Sequence, residues 1–212
     1  MEKNMIHSAT ASFLGEGQIH RADYRQTQEV ELTINRLDQV VSELRRESIV
    51  KNFTVRVQSL AMITSPSNVQ SINLVGINPE TEKDVSQIDE AIVEGNFLDE
   101  NNPRDLLIGS KLAEILEVEL GDRIVITVAQ AESGDLSQEM FRISGIYHFN
   151  IQEMDRAMAF ISIEKAREMI NLPGQAHEIA IQFINTSYGR NNQLPFWDKY
   201  SRFDNEALGW TK

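Results

Sequence analysis

His7, His20, His148 and His177 are the only imidazoles in the chain, and imidazole suits proton transfer and zinc binding near neutral pH. No two of them stand four residues apart, which excludes the paired histidines of a zinc-hydrolase helix. His20 and His148 fall within or beside strand patterns, and all four read as ordinary hydrogen-bonded or surface side chains. Ser110 follows Gly109 and precedes a helical stretch, as a nucleophile turn would. The segment Leu107-Ile-Gly-Ser-Lys-Leu lacks the second flanking glycine of that turn, and Ser110 reads instead as a helix N-cap. Gly15-Glu-Gly17 comes before a strand, whereas a dinucleotide fingerprint follows one and opens a helix. No P-loop is present, so any nucleotide that powered this protein would have to bind to another chain. Asp84, Asp89, Glu90, Glu94, Asp99 and Glu100 form an acidic stretch without the register of a calcium loop. It reads as a solvated loop, with a paired-carboxylate hydrolase as the enzymatic alternative. Cysteine is absent, which excludes a thiol nucleophile, a thiolate metal site and disulfides. The residues therefore predict no catalytic group, no cofactor and no metal.

The charge excludes further classes. A formal net charge of −12 repels a phosphate backbone, so nucleic acid is not an expected partner. It also opposes a face lying on anionic lipid. The first residues lack the apolar core of a signal peptide, and no run approaches the roughly 18 apolar residues that span a bilayer. The chain as given is expected to be soluble, and a loop between two membrane helices would look the same.

The elements that position these residues follow from periodicity. Gly17–Ala22 reads as a strand. Val30, Ile34, Leu37, Val41 and Leu44 recur at helical spacing and predict a helix over about 26–47, roughly 33 Å long. From Phe53 to Ile63 the period is two: Phe53, Val55, Val57, Ala61 and Ile63 share one face. The other face is polar at Thr54, Arg56 and Gln58 and apolar at Leu60 and Met62. Further strands are expected at 71–77, 123–129, 140–147, 157–163 and 178–184. Short helices are expected at 111–117 and 164–170, and another at 195, with proline in its first turn. The chain reads as ending at Gly209-Trp-Thr-Lys without a closing element. This is an α+β protein in which residues 66–177 form a lobe inserted into a first lobe made of 1–65 and 178–212.

Exposed apolar side chains are the interaction candidates. Leu60 and Met62 stand on the half-polar strand face, and Phe196, Trp197, Tyr200, Phe203 and Trp210 crowd the last segment; either set serves as core or as a surface for a partner or apolar cargo.

Several segments, in order, resemble the extracytoplasmic domain of MacB/FtsX-like ABC transporter permeases, with the lipoprotein-releasing permeases nearest in pattern. They are Gly17-Gln-Ile-His-Arg-Ala-Asp-Tyr, Leu74-Val-Gly-Ile-Asn-Pro, Glu94-Gly-Asn-Phe-Leu, Leu107-Ile-Gly-Ser-Lys-Leu-Ala, Leu120-Gly-Asp-Arg-Ile and Phe141-Arg-Ile-Ser-Gly-Ile. Asp155, Ile161-Ser-Ile-Glu-Lys-Ala, Ile179-Ala-Ile-Gln and Trp210 complete the series. The resemblance implies a porter-like α/β lobe near the membrane and an inserted β-rich lobe, on the periplasmic or extracytoplasmic side of the inner membrane. It implies a non-catalytic role, coupling ATP hydrolysis elsewhere to lipoprotein release or substrate export. The implied partners are an ABC ATPase subunit, a second permease copy or paralogue, and a lipoprotein, periplasmic carrier or other export substrate. An FtsX-like role, controlling a cell-wall hydrolase, is the alternative within the family. Members that recruit a carrier do so through a proline-bearing hairpin between strands matched here by 123–129 and 141–146. This chain has Gln130-Ala-Glu-Ser-Gly-Asp-Leu-Ser-Gln-Glu there, short, acidic and without proline. Leu60 and Met62, with Gln130, Glu132, Asp135, Leu136 and Glu139 of that segment, are the candidate contact residues.

Overall fold

The computed structural model describes residues 13–209; the readings placed on His7 and Trp210 lie outside them. Among the described residues the strands are β1 Gly17–Arg21, β2 Val50–Thr64, β3 Val69–Ile77, β4 Ile92–Gly95, β5 Asp105–Gly109, β6 Arg123–Ala129, β7 Leu136–Tyr147, β8 Met158–Ser162, β9 Glu178–Phe183 and β10 Asn205–Gly209. The helices are α1 Tyr24–Thr27, α2 Leu37–Leu44, α3 Pro79–Glu82, α4 Ser110–Leu116, α5 Gln152–Ala157, α6 Ile163–Ile170, α7 Ser187–Arg190 and α8 Pro195–Tyr200. The α+β reading holds.

All the strands belong to one irregular sheet, ordered β10-β1-β9-β2-β3-β8-β5-β7-β4, with β6 joining β2 to β7. That last pairing closes a circuit, because β2, β3, β8, β5, β7 and β6 each pair with the next and β6 returns to β2. Its interior is filled by alternate residues: Ala61 and Ile63 of β2, Ile72 and Leu74 of β3, Ile124 and Ile126 of β6, Phe141 of β7 and Ile161 of β8. Leu112 and Leu116 of α4 and Ala166 and Met169 of α6 join the same core. Outward-facing Val75, Ile77, Leu107 and Phe160 are covered by Phe13, Ile88, Leu98 and Met154. A third core lies under α2 and α8, where Ile19, Ile179, Phe183, Phe196, Trp197 and Tyr200 meet. The aromatic tail is thus core as far as Tyr200.

The strand at 53–63 is longer than its pattern, 15 residues from Val50, and its two halves have different neighbours. Its lower half pairs with β9 and its upper half with β3 and β6.

Two expectations are corrected. The helix over 26–47 is replaced by turns and the 8-residue α2. Gln28 and Arg36 adopt left-handed backbone with φ of 54° and 53°, which a right-handed helix cannot contain. Between them, tertiary bonds take the backbone groups a helix would use. The Ile34 N–H donates to the Ala176 carbonyl at 2.8 Å. The Asn35 N–H donates to Asn205 Oδ1 at 2.9 Å, and Asn205 Nδ2 returns a bond to the Asn35 carbonyl at 3.0 Å. The chain also has a closing element. β10 pairs with β1 over its whole length, Gly17 opposite Gly209, so the first and last described strands lie side by side. Gly209 is required there, because a Cβ would sit 2.0 Å from the Gly189 carbonyl.

Candidate functional site

The two halves of the β2 face that carries Arg56 and Met62 have opposite fates. In the polar half Thr54 and Arg56 are buried, and in the apolar half Leu60 and Met62 are bare. Arg56 has no exposed surface. Its Nε and Nη2 donate to the two oxygens of Glu82 at 3.1 and 2.6 Å, and its Nη1 donates to Glu178 at 2.6 Å. Nη2 also donates to the carbonyl of Phe13 at 2.7 Å, with the Phe13 ring 4.2 Å from the guanidinium. Burial alone works against the charge, but Glu82 and Glu178 outweigh it and hold Arg56 protonated.

Histidines flank this cluster. The Gln58 N–H donates to His177 Nδ1 at 3.0 Å, and His177 Nε2–H donates to the Val30 carbonyl at 2.8 Å. This pattern fixes one neutral tautomer, and burial lowers the pKa. His20 is lowered by burial too, against the pull of Glu178. Tyr24 stacks between the two rings, 5.7 and 5.1 Å from their centroids, and burial raises its phenol. The cluster ties together β1, β2, β9, α3 and the segment that precedes β1.

Glu82 and Glu178 are convergent buried carboxylates, as a hydrolase would need, but they converge on a guanidinium. A groove of about 650 Å³ between α2 and α6 is lined by Leu37, Val41, Phe53, Val55, Arg45 and Arg167 among others, and by neither of them.

Ser110, His148 and Asp155 also meet. Ser110 is the first residue of α4, with Gly109 in the cap position and no side-chain cap, so the N-cap reading is corrected. Its Oγ lies 2.9 Å from His148 Nδ1, and Asp155 Oδ2 lies 3.0 Å from the same nitrogen. A nucleophile relay needs serine and carboxylate on opposite ring nitrogens, and here Nε2 faces Asn150 Oδ1 at 2.8 Å. Asp155 accepts the N–H groups of Phe149 and Asn150 at 2.8 and 3.1 Å. It closes the turn before α5. Among the described residues no group of three histidine or acidic side chains is placed to hold a metal.

The bare half of β2 belongs to a wall formed with β3, β6 and β7 on the outside of the closed circuit. Met62 lies between Ser71 and Thr127, and Thr127 lies opposite Gln138. Thr64 lies between Val69 and Val125, Val125 opposite Met140, and Ala129 opposite Leu136. Leu60, Met62, Leu136 and Met140 are 62, 49, 72 and 46% exposed. Of the contact residues expected from sequence, Leu60, Met62 and Leu136 therefore share one surface, with Glu132 and Asp135 in the loop at its end. Glu139 faces the other way, accepting from Lys165 Nζ at 2.9 Å. The loop is held down: the Ala131 N–H donates to the Ile170 carbonyl at 2.9 Å, and Gln130 and Asp135 close it at 2.8 Å. Val69, Met140 and the opposed Arg123 and Arg142 at the other end were not anticipated. The alternation within 123–129 and 136–142 carries their signal.

Comparison with known proteins follows this geometry. The solved periplasmic region of MacB from Actinobacillus actinomycetemcomitans superposes with a TM-score of 0.60 at 14% identity, covering 96% of this chain and 93% of that one. The extracellular domain of the noncanonic ABC-type transporter YknZ from Gram-positive bacteria gives 0.56 at 14% identity, covering 82% and 86%. In sequence, the lipoprotein-releasing system transmembrane protein LolC of Xylella fastidiosa is 26% identical over 105 residues, 47% of this chain and 25% of LolC. LolE of Haemophilus influenzae, of the same system, is 22% identical over 176 residues, 80% of this chain and 42% of LolE. The chain thus spans well under half the length of these relatives. The profile of the MacB-like periplasmic core domain matches residues 2–187, and the chain belongs to that non-catalytic family.

Proposed function

We propose that this domain is a mechanical relay of an ABC transporter permease at the extracytoplasmic face of the inner membrane. It couples ATP hydrolysis by a separate cytoplasmic subunit to lipoprotein release or to export of another substrate. The observation that carries this is the pairing of Gly17 with Gly209. Force applied beyond either strand enters the sheet at one place, passes through β9 into β2, and reaches the closed circuit along a single 15-residue beam. Arg56 clamps the segment before β1 to the middle of that beam. A relay must not yield along its length, and a buried charge cluster that is lost as a unit supplies that stiffness. Residues 1–65 with 178–212 would be the membrane-proximal lobe and 66–177 the distal one. The names of LolC and LolE favour lipoprotein as cargo, and the tied-down 130–135 loop argues against a carrier-binding hook.

The test uses the full-length protein with its ATPase in membranes. Gly209→Val drives the end of β10 against the Gly189 carbonyl and Trp197 and displaces it from beside β1, and a folded variant is expected to keep ATP hydrolysis and lose substrate movement. Unchanged transport, or substrate turnover by the 212-residue chain alone, would sink the relay. Co-purification of a cell-wall hydrolase activator in place of exported cargo would move the assignment to regulation.

A further inference from the structure

His20 and His177 are both buried, but only one of them can take up a proton without losing a bond. His20 Nδ1 lies 3.1 Å from the His177 carbonyl, and its Nε2 lies 3.1 Å from Gln18 Oε1. Gln18 Nε2 donates to the Leu14 carbonyl at 2.9 Å, which fixes the direction of that amide. Both ring nitrogens of His20 therefore face acceptors, and a second N–H is accommodated in place. His177 is wired differently. Its Nδ1 accepts from the Gln58 N–H while its Nε2–H donates to the Val30 carbonyl. A proton on Nδ1 would set two N–H groups against each other in a dry interior.

The Val30 carbonyl belongs to a strap, residues 24–36, whose only regular element is the four-residue α1. Tyr24 anchors one end between the two imidazoles. Val30 packs against the core of the closed circuit, and Ile34 lies in the core under α2 and α8. The Ile34 N–H bond to the Ala176 carbonyl stands next to the His177 bond in sequence. The Glu31 carboxylate accepts the Glu132 N–H at 3.3 Å, so the strap also reaches the 130–135 loop.

We infer that this segment is a strap released by acid, with His177 as its pin. Protonation of the ring breaks the Gln58 bond and moves the imidazole off β2. Val30 and Glu31 then come free, and the 130–135 loop loses its contact with the strap. The groups that bear on His177 are Glu178 beside it on β9, Glu31 of the strap, His20 of β1 and the Tyr24 phenol; Arg56 of β2 is engaged by Glu82 and Glu178. Burial lowers its pKa below the ordinary 6.5, against the Val30 carbonyl, Glu178 and Glu31. Opening returns the ring to water and to a pKa of about 6.5. Protons therefore bind the open form more tightly. The open fraction rises by up to about tenfold per pH unit below about 6.5, until the pKa of the closed form is reached. The device belongs to the chain itself and does not depend on the transport reading.

Amide hydrogen exchange of the 212-residue chain, corrected for the intrinsic effect of pH, reads the strap directly. Between about pH 7 and 5.5 the Ile34 and Gln58 amides are expected to lose protection about tenfold, while the amides of β3 and β8 keep theirs. By NMR, the Gln58 amide proton should shift together with the His177 ring as it titrates. His177→Gln preserves a donor and an acceptor and cannot charge, so it should hold the strap closed at about pH 5.5. His20→Gln should leave the release intact. The pin is overturned if Ile34 and Gln58 stay equally protected across that range. It is equally overturned if His177→Gln opens with pH as the unaltered chain does, or if His20→Gln abolishes the opening. Should His177→Gln not fold, the unaltered chain decides alone: a Gln58 amide proton that ignores the titration of His177 sinks the idea.

Discussion

Arg56 and Glu82 form a two-pronged ion pair with neither side chain exposed, at 2.6 and 3.1 Å. A buried pair of this kind does not add much stability over a well-packed apolar substitute, but its parts cannot be removed singly. Arg56→Ala is expected to cost about 3–5 kcal/mol, because Glu82 and Glu178 would be left charged and dry. Glu80→Gln, which breaks the exposed and solvent-screened pair with Lys83, is expected to leave the unfolding midpoint almost unchanged. Urea denaturation of the two variants checks the contrast.

His20 and His177 make stability depend on pH. Their folded pKa values lie below the ordinary 6.5 because of burial. The unfolded chain therefore takes up protons first as the pH falls. Stability is full above about 6.5 and declines below it, levelling off once the folded pKa is passed. His177→Gln keeps an acceptor for the Gln58 N–H and a donor for Val30, and it is expected to flatten the slope between about pH 7 and 5. A denaturation series across that range measures the change, and an unaltered slope would contradict this account of His177.

The outer wall and the interior of the closed circuit should respond oppositely to polar or truncating changes. Leu136→Ser is expected to change stability by at most about 0.5 kcal/mol. Phe141→Ala, five residues on and buried in the core, is expected to cost about 3–5 kcal/mol. Thermal melts of both variants decide whether the wall is surplus to folding.

Close backbone approach marks a third vulnerability. A Cβ on Gly76 would lie 2.4 Å from that of Ala166, so Gly76→Ala should lift α6 from β3 and cost about 1–3 kcal/mol. Truncating its neighbour in Ala166→Gly, combined with Gly76→Ala, should recover part of that loss. An additive cost would point away from a steric cause.

Much of the fold was legible because its strands alternate. Val57, Ala61 and Ile63 fall on one face in the sequence and in the core. The stretch before β2 was misread for the same kind of reason. Val30, Ile34, Leu37 and Leu44 have helical spacing and do point inward, but a periodic pattern reports which side chains are buried. It does not report which partners the backbone chooses, and Asn35 and Asn205 exchange bonds across 170 residues. The half-apolar face of β2 was visible at Leu60 and Met62. That Arg56, two turns of the pleat away, would be a fully enclosed charge was not, since Glu82 and Glu178 approach it from distant segments. The Arg123 and Arg142 pair depended on strand register, which spacing alone leaves open.

The order of synthesis gives the closed circuit a consequence for assembly. All of its strands lie between Val50 and Ser162, so the ring can shut while the tail is still being made. β1 has no neighbour until β9 and β10 appear. The first of the described strands is thus paired only after the ring is made, and Ile19 stays open to water until β9 appears. Nascent chains in which residues up to about 170 have cleared the ribosome should therefore contain a protected ring and an unprotected β1, and binding of a chaperone to β1 would be strongest in that interval.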